Sequence, residues 1–370
     1  MKDRKNKTNA VQEKKAGSIM QHEITGKHSL LDKNGHVTEA GWSREYLLEY
    51  NREAIQVPET EIKEWEYYLI LSREFGLGLS MANVGVCSRL TVQFMDYINK
   101  EHVCVSDLLE KQGAEGMFMP RDVSSSTTYQ TERAFGTYEK NGNICHIKID
   151  FKDLEPGNDF KADITVITPE TDKTVMVIPY ESDPNLFYYN YKVNNMITEG
   201  TMEFRGKIYE FTKENSYGTN DWGRGIWEKK NEWYWGSLST TINGKPFGFN
   251  IGHGFGDTSY ATENMIIYDG RVHKIDQLMF RIPGDVIGDL KLVLPDENYL
   301  MPWKFETNDG RLDMDFVPIM DRQSGVVPGE YASGQHQVFG LFSGKAILDD
   351  GTEIVFKDEF GFAEKVNNSW

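Results

Sequence analysis

The sequence predicts an all-β protein built from two antiparallel β-barrels packed together. Short segments alternate apolar and polar residues, aromatic residues make up 12% of the chain, and no long segment has a helical period. The second half also contains four Asn-Gly or Asp-Gly pairs, at 243–244, 269–270, 309–310 and 350–351, which are typical two-residue turns of β-hairpins. A meander of this kind must protect its edge strands, and closure into a barrel does so directly.

The first half divides into a tail and several groups of strands. Residues 1–20 are polar and rich in lysine, which predicts a disordered basic tail. The segment GWSRE at 41–45 fits a short helix or a strand equally well. Successive antiparallel strands are expected between 62 and 97, a hairpin is expected across 141–142, and a further strand pair is expected on either side of 169–170.

The second half repeats this texture from about residue 200 onward. The boundary is expected near the NNMITEG segment, which gives an N-terminal barrel domain over 21–197 and a C-terminal barrel domain over 198–370. No clear sequence repeat relates the two halves, so the prediction of two domains depends on hairpin spacing and chain length.

Composition argues against several classes of partner. The net charge of −17 and the pI of about 5.0 disfavour nucleic acid, because phosphate binding needs a basic surface. No segment approaches the roughly 20 apolar residues of a membrane span, so we expect no stable membrane insertion. The N-terminus lacks the apolar stretch of a secretory signal and the three cysteines form no CxxC pair, which together predict a cytoplasmic protein. The oligomeric state is left open.

The sequence lacks the common motifs of cofactor and metal enzymes. It contains no GxSxG elbow, no HExxH motif and no P-loop, and its histidines are not spaced as metal ligands. We therefore expect neither a cofactor nor a metal site.

One segment, residues 220–273, combines large aromatic side chains with ionisable ones. It contains Trp222, Trp227, Trp233 and Trp235, which are four of the eight tryptophans in the chain. Burying an ionisable group is costly unless it has a partner, so this mixture predicts a lined ligand cavity. In the alternative interpretation the rings fill a barrel core and the charges face water.

Two residues of this segment are candidates for acid/base catalysis. Asp221 could donate a proton if the surrounding tryptophans favour its protonated form, whereas an ion pair with the nearby Arg224 would make it structural. His253 lies in the glycine-rich stretch GFNIGHGFGD and is a candidate base or orienting group, or else a satisfied core histidine.

Polar residues close to His253 complete the predicted site. Strict alternation places Asn250 on the strand face opposite His253. Glu263 and Asn264 follow a loop and either orient a ligand or His253, or only cap a turn. Together with Arg224 and the four tryptophans, these three residues are the predicted ligand contacts.

Seven segments of the chain resemble a known family. They are NLFYYNYKVNNM (185–196), NDWGRGIW (220–227), WYWGS (233–237), GFNIGHGFGDTSYATENMIIYDGRVHKID (248–276), WKFETNDGRLDMDFVPIMDR (303–322), HQVFGLFSG (336–344) and GFAEKVNNSW (361–370). These segments are similar to the bacterial family DUF2804, a domain of unknown function, and the resemblance covers nearly the whole chain after about residue 20. That family is distantly similar to the two-domain calycin group, which includes carotenoid 1,2-hydratase and plant-type tocopherol cyclase.

The resemblance has implications for both fold and chemistry. It implies two lipocalin-like β-barrels that share an interface and enclose an apolar ligand cavity. In the hydratases it implies an aspartic acid that protonates an alkene and aromatic rings that stabilise the resulting cation. Asp221-Trp222-Gly223 stands where that group carries a His/Asp…Trp-Gly element, although no histidine adjoins Asp221.

Two functional hypotheses follow. In the first, the protein binds a hydrophobic lipid- or isoprenoid-like molecule and performs cofactor-free acid/base chemistry on a double bond: hydration, isomerisation or cyclisation. Asp221 would be the proton donor, His253 a base or orienting group, and the tryptophans the wall that stabilises a cation. In the second, the protein carries such a ligand without turnover. An unpaired acid in a closed apolar cavity favours the enzyme, whereas a pair between Asp221 and Arg224 favours the carrier; a glycan-binding β-sandwich is a third, less favoured interpretation.

Overall fold

The computed structural model describes residues 21–111, 113–283, 298–326 and 332–369. Within them the chain forms β-strands joined by turns and loops, together with three short 3₁₀ helices at Arg52–Ala54, Glu59–Glu61 and Gly113–Glu115. The predicted basic tail at 1–20 lies outside the described residues. The all-β prediction is confirmed.

Fifteen of the described strands precede residue 227. They are β1 (His28–Ser29), β2 (Gly41–Ser43), β3 (Leu48–Glu49), β4 (Lys63–Ser72), β5 (Phe75–Asn83), β6 (Ser88–Asp96), β7 (Glu101–Leu109), β8 (Thr127–Gln130), β9 (Ala134–Asn141), β10 (Ile144–Glu155), β11 (Asn158–Ile167), β12 (Thr174–Pro179), β13 (Phe187–Phe204), β14 (Lys207–Phe211) and β15 (Ser216–Ile226).

Nine further described strands follow. They are β16 (Lys230–Ile242), β17 (Lys245–His253), β18 (Met265–Tyr268), β19 (Arg271–Lys274), β20 (Leu278–Arg281), β21 (Trp303–Thr307), β22 (Leu312–Val326), β23 (Ala332–Ile347) and β24 (Glu353–Ser369).

The strands form two curled antiparallel sheets, each a half-barrel. The first has the order β7-β6-β5-β4-β15-β13-β11-β10-β9-β8, with β12 and β14 also paired to β13 and β2 paired to β12. The second has the order β19-β18-β17-β16-β24-β23-β22-β21-β20. Strands β1 and β3 form a separate parallel pair. The predicted architecture of two antiparallel, lipocalin-like units packed together is confirmed.

Local turn chemistry explains why the hairpins form where the sequence predicts them. The Asn243-Gly244 turn joins β16 to β17 with φ of 53° and 74°, and the Asp269-Gly270 turn joins β18 to β19 with φ of 50° and 82°. Two consecutive positive φ angles define the type I′ turn, which matches the twist of the flanking strands and favours Asn-Gly and Asp-Gly.

The pairing predicted on either side of 169–170 is wrong. Strands β11 and β12 form there, but each pairs with the long strand β13 and they do not pair with each other. The backbone N–H of Lys173 instead donates to the carbonyl of Arg44, and that of Asp172 donates to the carbonyl of Gly270. The connecting loop is therefore held by other parts of the chain, and β12 continues along β13 instead of folding back on β11.

The change from the first sheet to the second comes between Ile226 and Lys230, whereas the sequence predicts a boundary after residue 197, inside β13. The segment around that position bulges between Val193 and Met196 and contacts the second sheet. The buried Asn194 donates to the carbonyls of Leu238 (3.2 Å) and Phe249 (3.1 Å), and Asn195 donates to that of Phe247 (2.9 Å). The two asparagines thus join the sheets.

Each sheet has its own apolar core. The first includes Phe94, Phe151 and Phe160, and the second includes Phe249 and Phe342. A further cluster, with Tyr67 and Tyr97 from the first sheet and Trp235, Phe339 and Phe362 from the second, packs the sheets against each other. A strand at this contact therefore presents alternate residues to its own core and to the other sheet.

Candidate active site

A cavity of about 920 Å³ lies between the two sheets. Its walls are formed by β4 to β7, β13 and β15 of the first sheet, by β16 and β22 to β24 of the second, and by the segments that follow β15 and β17. Aromatic rings, amide groups and buried charges share this lining. Sites of this size and mixed chemistry are typical of small-molecule binding.

The registers of β13 and β15 determine which predicted residues reach the cavity. Lys192 lies opposite Asp221, and Asn190 lies opposite Gly223. Directly opposed residues share one face of a sheet, so these side chains meet on the cavity side. Asp221 accepts a hydrogen bond from Asn190 Nδ2 (2.6 Å), and its other oxygen lies 3.3 Å from Lys192 Nζ.

Lys192 is the centre of the charged cluster. Only 1% of the Lys192 surface is exposed to solvent. Its Nζ lies 3.3 Å from the Asp221 carboxylate, 3.7 Å from the Glu263 carboxylate, and 4.1 Å from the centroid of the Trp235 ring. A buried ammonium is stabilised by paired carboxylates and by an aromatic face. The ion pair that the sequence suggests between Asp221 and Arg224 is therefore replaced by a pair with Lys192.

Glu263 is positioned by its neighbours in the second sheet. A Cβ atom on Gly252 would lie 2.6 Å from the Glu263 carboxyl carbon, so glycine leaves the room that this side chain occupies. Asn250 donates to the Glu263 backbone carbonyl (2.8 Å) and accepts from Trp235 Nε1 (2.6 Å). Burial, and to a smaller extent the charge of Asp221, raise the pKa of Glu263, while Lys192 acts in the opposite direction.

Asn264 stabilises the position of Glu263 through hydrogen bonds to the backbone. Its Oδ1 accepts from the backbone N–H of Gly252 (2.7 Å), and its Nδ2 donates to the carbonyl of Asp276 (2.9 Å). Asn264 is not among the residues that line the cavity. It therefore fixes the loop that carries Glu263.

Glu364 is a second buried carboxyl group on the cavity wall. It accepts hydrogen bonds from Trp233 Nε1 (3.1 Å), Gln335 Nε2 (2.9 Å) and Gln337 Nε2 (3.0 Å). Gln337 in turn accepts from the fully buried Arg322 (3.0 Å). Burial is the largest influence on the pKa of Glu364 and raises it; the hydrogen bonds and the Arg322 charge oppose this effect.

Stacked aromatic rings form the other part of the lining. Tyr188 and Phe255 stack at 4.1 Å, and Trp65 lies 5.6 Å from Trp227, which lies 5.5 Å from Phe255. Trp233 also packs against Phe255, at 5.5 Å. Three of the four predicted tryptophans, at 227, 233 and 235, thus line the cavity.

Five predicted site residues do not line the cavity: Asn250 and Asn264, which support Glu263, and Trp222, Arg224 and His253. Trp222 and Arg224 face the opposite side of β15, where the guanidinium lies 3.9 Å from the Trp222 ring centroid and Trp222 packs against Tyr189. His253 stacks on Tyr234 at 4.5 Å, on the face of β17 opposite Asn250, as strand alternation predicts. Trp222, Arg224 and His253 are not among the residues that line the cavity.

Several lining residues were missed by the sequence interpretation, notably Lys192, Tyr188, Trp65 and Glu364. Tyr188 and Lys192 belong to the NLFYYNYKVNNM segment and alternate with apolar residues, which is the pattern of a strand with one solvated face. Only the position of the second sheet turns that face into a cavity wall.

In the part of the chain that the structure describes, no three His, Cys, Asp or Glu residues cluster as metal ligands would. No helix among these residues is long and apolar enough to cross a membrane.

Solved structures that align with this chain share little sequence with it. CghA, crystallised with Sch210972, aligns with a TM-score of 0.51 and 10% identity over 83% of this chain and 88% of that one. An AttH protein from Nitrosomonas europaea aligns with a TM-score of 0.51 and 11% identity over 86% and 96%. Kievitone hydratase from Nectria haematococca gives a TM-score of 0.46 at 10% identity over 87% and 95%. At such identities, the first two show a common fold.

Sequence comparison identifies the family. No functionally curated protein matches the chain. The family model described as a domain of unknown function, DUF2804, matches residues 21–370. This match covers nearly the whole chain and agrees with the motifs in the sequence, so the protein belongs to the DUF2804 family.

Proposed function

We propose that the protein is an enzyme that binds a hydrophobic, lipid- or isoprenoid-like molecule between its two sheets. It performs cofactor-free acid/base chemistry on a double bond of that molecule: hydration, isomerisation or cyclisation. The observation that carries this proposal is the cluster of Lys192, Asp221 and Glu263 within a tryptophan-lined cavity.

The energetics of burial favour an enzyme over a passive carrier. A carrier for an apolar ligand needs an apolar cavity, whereas each ionised group removed from water costs several kcal/mol before its pairing is counted. Here Asp221, Glu263, Glu364 and Lys192 are all at most 8% exposed. Titratable groups held in a cleft by desolvation and specific partners are typical of functional sites.

The roles of the groups follow from their contacts. Asp221, held by Asn190 and Lys192, transfers the proton. Glu263, whose carboxyl oxygen lies 3.7 Å from Lys192 Nζ, holds this side chain in place from the second sheet. Trp227, Trp233 and Trp235 shape the apolar part of the ligand site. CghA, which has the same fold, was crystallised with Sch210972, and this fits a ligand-binding role for the fold. We further propose a cytoplasmic location, which the three free cysteines fit.

The test compares wild type with Asp221→Asn, and uses the exposed Asp163→Asn as a matched control. Native mass spectrometry and solvent extraction of each purified protein identify a co-purifying apolar molecule. That molecule is then incubated with each protein, and the products are separated by chromatography as well as weighed, so that an isomerisation that leaves the mass unchanged is still detected. We expect wild type and the Asp163 variant to alter the molecule, and Asp221→Asn to do so about 10²–10⁴-fold more slowly.

The remaining outcomes separate the hypotheses. A molecule that all three proteins hold unchanged would identify a carrier of lipids or isoprenoids. If no protein retained an apolar molecule, and none of a panel of fatty acids and isoprenoids bound, the ligand-binding proposal itself would be refuted.

A further inference from the structure

The aromatic walls of the cavity already face a cation that belongs to the protein. Lys192 Nζ lies 4.1 Å from the Trp235 ring centroid. A ring face that contacts this ammonium is not available to stabilise a positive charge on a ligand, and like charges at short range repel. Trp222 likewise has Arg224 on its face and lies outside the cavity. Two of the four rings expected to stabilise a ligand cation are therefore occupied.

The same region offers hydrogen-bond donors to a negative charge. Lys192 supplies an ammonium group that is almost fully buried. Tyr188 lines the cavity, and its hydroxyl lies within the electrostatic influence of Glu263, Asp221 and Glu364. Burial, reinforced by these carboxyl groups, raises the pKa of Tyr188 well above its ordinary value, so its O–H stays a donor. Among the described residues no hydrogen-bond acceptor for this hydroxyl is found.

We propose that the substrate carries a carbonyl group separated by one carbon from its double bond. The reaction then passes through an enolate, whose oxyanion Lys192 and Tyr188 stabilise. This inference rests on the proposed function and specifies its substrate class: an unsaturated ketone, aldehyde or acid derivative instead of a plain alkene. Preorganised donors at a developing oxyanion are among the strongest catalytic devices known in proteins.

The proton transfer balances without a co-reactant. The Asp221 carboxylate takes a proton from the carbon next to the double bond of a β,γ-unsaturated carbonyl compound, and the C–H electron pair moves into the carbonyl oxygen through a new carbon–carbon double bond. The carboxylic acid so formed returns the proton to the γ-carbon, and the oxyanion collapses to the carbonyl with the double bond in conjugation. Nothing is consumed, and Asp221 ends ionised.

Ionisable probes test the sign of the charge that the cavity stabilises. 2-Naphthol mimics the enolate when ionised, and its absorbance and fluorescence distinguish the neutral from the ionised form. Dodecyltrimethylammonium mimics a cationic intermediate on an apolar chain. We expect the full-length protein to lower the pKa of bound 2-naphthol, so that naphtholate binds at least about tenfold more tightly than naphthol. We also expect naphtholate to bind to the protein more tightly than the ammonium probe does.

Variants connect the effect to the named donors. Tyr188→Phe keeps the ring stacked on Phe255 and removes only the hydroxyl, so naphtholate affinity should fall about tenfold or more while ammonium affinity is unchanged. Tyr138→Phe, whose hydroxyl is buried in the first core, is the matched control and should change neither. Lys192→Met should abolish the preference for naphtholate. If this variant does not fold, Tyr188→Phe alone decides the question.

Each alternative result has a distinct meaning. If wild type binds the ammonium probe more tightly than naphtholate, or if Tyr188→Phe keeps the full naphtholate affinity, the enolate inference is overturned while the ligand-binding cavity stands. If neither probe binds wild type, the proposed function fails together with the inference.

Discussion

The Trp65 side chain lies against Gly223 of β15. A Cβ atom at residue 223 would lie 2.0, 2.3 and 2.5 Å from three atoms of the Trp65 ring. Contacts this short cannot be relieved in place, because the ring also packs against Tyr188 at 6.1 Å and Trp227 at 5.6 Å. We therefore expect Gly223→Ala to displace the indole and disturb the aromatic wall of the cavity.

The magnitude follows from the cost of forcing an extra methyl group against the Trp65 ring. Adding a methyl group where none fits costs about 1–3 kcal/mol. At roughly 2–4 °C for each kcal/mol in a domain of about 150–250 residues, Gly223→Ala should lower the melting temperature by about 2–12 °C. Gly26→Ala is the control, since an added Cβ there has no atom within 4 Å and should have little effect.

The assay is thermal unfolding followed by near-ultraviolet circular dichroism, which reports the packing of aromatic rings. A double-mutant cycle with Trp65→Leu identifies the cause, because removal of the large ring should relieve the clash and make the second substitution less costly. The reasoning is refuted if Gly223→Ala melts within about 1 °C of wild type with an unchanged spectrum, or if its cost is the same in the Trp65→Leu background.

Three further predictions concern buried polar groups and are checked by urea unfolding. Burial lowers the pKa of Lys274 to about 7 from its ordinary 10.5, so between these pH values the native state binds fewer protons than the unfolded state. Stability should therefore rise across this pH range, and Lys274→Met should lack the rise. Lys140→Met leaves the buried Glu66 carboxylate without its ion-pair partner, which lies at 2.7 Å, and should lower the free energy of unfolding by about 3–5 kcal/mol. Adding Glu66→Gln should restore most of this loss, and no recovery would contradict the account. Asn194→Ala removes donors between the sheets and should cost about 1–3 kcal/mol, whereas an unchanged midpoint would show that other contacts join them.

The hairpins are predictable from sequence because their information is local. Asn243-Gly244 and Asp269-Gly270 adopt the positive φ angles that these residue types tolerate best, whatever surrounds them. The pairing of β11 with β13 is not local, because it joins residues such as Phe160 and Phe204 that lie far apart in the sequence. Alternation alone cannot choose between these partners, which is why the predicted pairing of β11 with β12 fails.

The site was only partly predictable for a related reason. Asp221 and Trp222 are neighbours in sequence, yet strand alternation sends the first into the cavity and the second into a separate cluster with Tyr189. The composition of 220–273 indicates a mixed cavity but not which residues of each strand face it. Lys192 has the sequence pattern of a solvated residue, and only the packing of the second sheet buries it.

Strand β13 couples the formation of the site to the docking of the sheets. Its cavity face carries Tyr188, Asn190 and Lys192, and the bulge that follows places Asn194 and Asn195 against the second sheet. Lys192 pairs with Asp221 of the first sheet and with Glu263 of the second, so its burial depends on both. If the sheets separated, water would screen the ammonium and the electrostatic stabilisation of an oxyanion would weaken. The charge cluster and the asparagine contacts therefore depend on each other. Docking of the two sheets creates the low-dielectric environment that the proposed chemistry needs.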